Sequence, residues 1–270
     1  MGGDTFLSAF GIIVNAMFLI ASVYIYVSLL RQIGTRKTDA TLPTDRRFGL
    51  PEAVVAFALA TLFAVNSLGA GSSQITNLRT RDLIANGIFA LGLVAFITVF
   101  LKLRRFDIND LAGLTRISFR RAVATGFVLM VFAYPLIIFA DWITARIFGT
   151  GSSRQGIVEL FSNSHLLEQR IFIIILAVTI APIAEEFVFR FFLYGVLRRY
   201  VGRALALVLS ALLFAAVHAH LPSFAPLFVL GSCFTLAYEW SGSLLVSMTM
   251  HAIFNALTLT ALAFPNIVQQ

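Results

Sequence analysis

Apolar runs of about 20 residues, long enough to cross a bilayer, recur eight times along this chain. They cover Phe6–Leu30, Pro51–Leu68, Leu83–Leu101, Ala122–Ala140, Ile171–Leu197, Ala204–His218, Phe224–Tyr238 and Leu244–Phe264. In lipid each backbone N–H and C=O must find its partner inside the protein, so such runs become helices. The predicted fold is therefore an all-α polytopic bundle of about eight transmembrane helices. The sixth and seventh runs are short, and the HAHLPSFAP link between them is expected to be partly embedded. Composition agrees: 59% of residues are apolar and 12% charged, where a soluble domain carries about 25% charged residues. Residues 1–270 read as one transmembrane domain with no internal repeat and no soluble unit.

The basic residues set the orientation. Those between runs one and two (Arg31 to Arg47), three and four (Lys102 to Arg121), and five and six (Arg198 to Arg203) number 14, against 5 in the alternate links. The positive-inside rule puts the first set in the cytoplasm and both termini outside. The net charge of +7 lies in these short links, a topology signal and not a nucleic-acid surface, so no nucleic-acid partner is expected. The N-terminal run lacks the basic lead and cleavage site of a signal peptide and reads as a retained span. The lone Cys233 allows no intrachain disulfide and no cysteine-based zinc site. A polar cytoplasmic loop is expected over Thr35–Phe48, and a short amphipathic helix on the outer face within Gly156–Gln169.

Every Lys, Arg, Asp and Glu can be placed in a link or at the end of a run, except Glu185, Glu186 and Arg190. Ionisable groups at membrane depth cost several kcal/mol and mark function. Glu186 and Arg190 are spaced i,i+4, so they can pair along one helix face. Glu185 is rotated by about 100° and is expected to meet a different neighbour. His218 ends the sixth run, and His251 stands one turn before Asn255 in the eighth. Counted from the cytoplasmic ends, Glu185, His218 and His251 fall roughly 12–21 Å deep. One shared, wet cavity is expected, open to the cytoplasm or sideways into lipid. His220 and His165 are expected outside it.

A carboxylate, two imidazoles and a carboxamide suit the activation of water and the stabilisation of an oxyanion. Glu185, His218 and His251 could equally hold zinc with an open position. The HExxH signature of zinc proteases is absent, and no serine or cysteine stands against a base. Proton-coupled transport is a rival reading, since buried Glu and His also relay protons. A non-catalytic scaffold or bacteriocin-immunity protein is another.

The motifs Glu185-Glu186-x-x-x-Arg190, Phe214-x-x-x-His218 and His251-x-x-x-Asn255, in this order on successive runs, resemble those of the CAAX protease and bacteriocin-processing family. That family includes the type II prenyl-protein CAAX endopeptidases, and the resemblance covers about residues 165–264. It implies an intramembrane endopeptidase in which Glu185 activates water beside His218. His251 and Asn255 would stabilise the oxyanion, with Glu186, Arg190 and Phe214 in support. No cofactor is expected to be obligatory, zinc being the alternative. The implied substrate is a membrane-associated peptide or lipidated protein, and the implied setting a prokaryotic plasma membrane. Phe191 departs from the glycine that many bacterial members carry after the motif arginine.

Overall fold

The computed structural model describes residues 3–36, 48–70, 80–148, 161, 164 and 167–264. Among these there is helix and no strand. In order come α1 (Gly3–Thr35), α2 (Leu50–Ala70), α3 (Thr80–Leu103), the single turn α4 (Ile108–Leu111) and α5 (Phe119–Phe148). A helical stretch then runs over Leu167–Val217, followed by α8 (Phe224–Ser241) and α9 (Leu244–Ala263).

Among the described residues seven helices are long and apolar enough to cross a membrane, but Leu167–Val217 has 51 residues. At 1.5 Å per residue it would measure about 77 Å if straight, more than twice the hydrocarbon thickness. Gly202, at φ 79 and ψ 171, breaks it in a conformation open essentially to glycine alone. We number the two arms α6 (167–201) and α7 (203–217), which restores eight spans.

The bundle is built around α8. Its apolar window is 61% buried, against 17% for α1 and 11% for α3. The outer spans instead turn Ile12, Phe57, Ile88 and similar side chains outward, as lipid contact requires. Gly242, at φ 66, ends α8 with its N–H on Tyr238 O at 2.8 Å, a left-handed cap that reverses the chain into α9. The loop after α4 pins that corner: Leu244 N–H donates to Ala112 O at 2.9 Å. Gly113, at φ 64, lies so close to Gly242 O that a Cβ there would collide with it. The register of α9, and with it His251, is fixed from below.

Two further charges are buried, where the sequence placed them harmlessly at run ends. Glu52 is fully enclosed: Oε2 accepts from Gly49 N–H at 2.6 Å and Oε1 from Arg104 Nε at 3.0 Å. Its place in the first turn of α2 lets it reach back to the orphan N–H before the helix. Glu239 is also enclosed. It accepts from Tyr194 Oη at 2.9 Å and pairs with Arg198 at 3.3 Å and Arg203 at 3.2 Å. That knot ties α6, α7 and α8 together at the end carrying the basic links. Residues 37–47 of the expected cytoplasmic loop, His165 and most of the expected outer-face helix lie outside the described residues.

Candidate active site

The site grows from α6, which is not a regular α-helix. Leu176–Ile180 and Phe187–Tyr194 are π-helical and flank a short α segment, Ala181–Glu186. Wide turns of this kind gather at functional sites because they re-aim side chains without ending the helix. One cause lies in the sequence. Ala181 N–H donates to Leu176 O in the i→i−5 register, and the next donor in that register is residue 182, a proline without an N–H. The Ala177 carbonyl is left over. Asn255 of α9 fills the place, donating from Nδ2 at 2.7 Å.

Glu186 and Arg190 form the predicted pair. Arg190 Nη1 lies 3.1 Å from Glu186 Oε1, with both side chains fully enclosed. The guanidinium also donates to Gly231 O at 3.3 Å and stands 4.1 Å over the Phe214 ring. A buried charge is tolerable only with partners of this kind, and the stacked aromatic face adds to them. Phe214 reaches further: its ring meets His218 at 4.9 Å and His251 at 5.9 Å. The side chain that the motif places in support thus touches every other motif ring.

His251 is buried between the two glutamates. Nδ1 lies 3.0 Å from Glu186 Oε1, so the ring donates there and keeps Nε2 for the other side. Nε2 faces Glu185 Oε2 at 3.8 Å, a separation that leaves room for a proton transfer after a small shift. The two carboxylates flank one imidazole: Glu186 is hydrogen-bonded to Nδ1, while Glu185 Oε2 stands beyond hydrogen-bond distance of Nε2 and turns toward the cavity. Phe234, stacked on the ring at 5.0 Å, holds its plane.

Glu185 is 30% exposed, and its exposure is to a cavity of about 390 Å³ that it lines together with His218. His218 Nδ1 is 2.8 Å from Phe214 O. That bond makes Nδ1 the donor and leaves Nε2 as the second functional nitrogen. The rest of the wall is unforeseen. Phe63 and Asn66 come from α2, and Asn86, Phe89 and Leu93 from α3, spans in which the sequence marked no site residue. These positions lie in the parts of α2 and α3 remote from the basic links, and Phe63 stacks on Phe189 at 5.5 Å. The hollow thus lies toward the end of the bundle opposite the basic links.

A sequence model of the family described as type II CAAX prenyl endopeptidase Rce1-like matches residues 167–257, the stretch holding all the motif residues. The chain is also similar to the uncharacterized protein YpbD of Bacillus subtilis (strain 168), at 30% identity over 197 residues, covering 70% of this chain and 89% of that protein. The chain belongs to the CAAX protease and bacteriocin-processing family. No solved structure matches it. At family level it is an intramembrane protease of the CAAX type, an integral membrane protein whose substrates are membrane-associated.

Within that family frame, Glu185 and His218 face the cavity, while His251 sits behind Glu185 and Asn255 is engaged on Ala177 O. The Asn255 carboxamide has one further N–H to give. Phe191, the departure from the family pattern, is buried with its ring 4.8 Å from Phe187 and 6.2 Å from Phe48; the wide π turn makes space for it. Among the described residues no three His, Cys, Asp or Glu side chains form a group able to hold a metal. His251 has one nitrogen committed to Glu186, and Glu185, His218 and His251 do not converge as a three-ligand set, so no step is routed through zinc.

Proposed function

We propose that the chain hydrolyses a peptide bond within the membrane by glutamate-activated water, without an obligatory metal. Glu185 takes the proton from water in the cavity, as a carboxylate within reach of an imidazole can. His251, anchored by Glu186, keeps the carboxylate oriented, and Glu185 returns the proton to the leaving amine as the C–N bond breaks. His218, in its imidazolium form with Nδ1 held by Phe214 O, donates from Nε2 to the carbonyl oxygen as it gains charge. Asn255 stabilises the same charge with its remaining N–H while bracing the helix that carries Glu185. Glu186 and Arg190 hold the imidazole in place.

The observation that carries this reading is the placement of Glu185. It is the site carboxylate open to the cavity, and its neighbour Glu186 is spent on Arg190 and His251. The substrate is a membrane-associated peptide or lipidated protein. The setting is a prokaryotic plasma membrane with both termini outside, an orientation supported by the distribution of basic links.

Reconstituted protein tests the class. Proteoliposomes containing the wild type should cleave an anchored reporter peptide, and those containing Glu185→Gln should not. Uptake of a labelled solute that depends on Glu185, with no cleavage, would place the chain among transporters.

A further inference from the structure

We propose that Asn66 and Asn86 form a binding subsite for the backbone of the substrate peptide, reached from the extracytoplasmic face of the membrane. The proposal rests on the peptidase reading above and adds the substrate's location and the groups that hold it.

Both carboxamides belong to spans that are otherwise almost wholly apolar, and both line the cavity floored by Glu185 and His218. Among the described residues neither has a hydrogen-bond partner. Both side chains are exposed, so their donors and acceptors are open to an incoming chain. An extended peptide offers one N–H and one C=O at each residue, and loses its water bonds on entering such a cavity. A carboxamide donates and accepts at once, so one on each wall replaces what the peptide gives up. Phe63, Phe89 and Leu93 around them suit apolar side chains on the same segment.

Direction follows from the two ends of the bundle. Asn66 lies four residues before the end of α2, and Asn86 six residues after the start of α3; the basic links lie at their other ends. That other end is sealed. Phe48 packs on Phe106, Phe191 and Phe192, and Arg104 closes on Glu52. α2 packs on α7 and α6, and α3 on α6, while α2 and α3 scarcely touch one another. Entry is thus from the face with few basic residues, or between α2 and α3 in that leaflet. By the positive-inside rule that face is extracytoplasmic. The substrate class is an exported or membrane-anchored peptide whose scissile bond emerges outside, not a lipidated tail presented in the cytoplasm.

Cysteine labelling tests the location without needing turnover, because the native Cys233 is buried. Asn66→Cys and Asn86→Cys should react with a membrane-impermeant maleimide in intact cells, and Lys102→Cys, at the basic end, in inverted vesicles alone. The opposite pattern overturns the proposal while leaving the peptidase reading intact. In a Glu185→Gln background, an anchored reporter peptide should slow labelling at Asn86→Cys; unchanged labelling overturns the subsite. In the active protein, Asn66→Leu and Asn86→Leu should each raise KM about three- to tenfold, the worth of one hydrogen bond. kcat should change less, and Asn86→Gln should recover part of the loss. An unchanged KM in both leucine variants likewise overturns the subsite, whereas full cleavage by Glu185→Gln would sink the peptidase reading instead.

Discussion

Asn255 donates to the Ala177 carbonyl at 2.7 Å, supplying the hydrogen bond that Pro182 cannot. The contact joins α9 to the irregular part of α6, so it couples the helix that bears His251 to the one that bears Glu185. Replacing Asn255 by leucine leaves a buried carbonyl without a donor, at about 1–3 kcal/mol. Thermal unfolding in detergent should show the lower midpoint, and turnover should fall as Glu185 loses its fixed backbone. An unchanged midpoint would mean that the bond carries no load.

The Glu186–Arg190 pair makes a second expectation. Removing one member of a fully enclosed pair strands the other charge, at about 3–5 kcal/mol. Arg190→Met should therefore unfold well below the wild type. The double variant Glu186→Gln/Arg190→Met should recover part of that loss, since no charge is left alone. If the double variant is no more stable than Arg190→Met, the coupling between the two is absent.

Gly231 sits where Arg190 and Phe214 meet. A Cβ there would come within 3.0 Å of Phe214 Cδ1 and 3.3 Å of Arg190 Nη2. Gly231→Ala should cost about 1–3 kcal/mol through overpacking and shift the ring that backs both His218 and His251. Stability and kcat should drop together; a drop in neither would contradict the packing described.

Metal removal separates two chemistries. With no three-ligand group among the described residues, dialysis against a strong chelator should leave cleavage within a factor of two of the untreated protein. Loss of activity restored by added zinc would require that Glu185, His218 and His251 rearrange around the ion, and would overturn the water-activation scheme.

Much of this was legible in the residues. Apolar run length carried the helices and their number, and the break at Gly202 falls in the basic link between runs five and six. The Glu186–Arg190 pair was readable from i,i+4 spacing. Other features had no local marker. The first π turn depends on Pro182 together with a partner 73 positions later, Asn255, which no window of sequence contains. Glu52 and Glu239 looked exposed because they stand at run ends; their burial comes from Arg104, Arg198 and Arg203 folding over them. Asn66 and Asn86 escaped notice because a lone carboxamide barely lowers the hydropathy of a span. Glu185 and Glu186 diverge as their rotation predicts, Glu186 onto Arg190 and Glu185 to the cavity, but no local signal shows that the His251 ring lies between them.

The central claim is that Glu185 is the base that activates water. The direct test is kcat for cleavage of a reporter peptide by purified wild type and Glu185→Gln, with folding checked by thermal midpoint. The account predicts a loss of about 10²–10⁴-fold at a nearly unchanged midpoint. A Glu185→Gln protein that turns over within a few-fold of the wild type would contradict it.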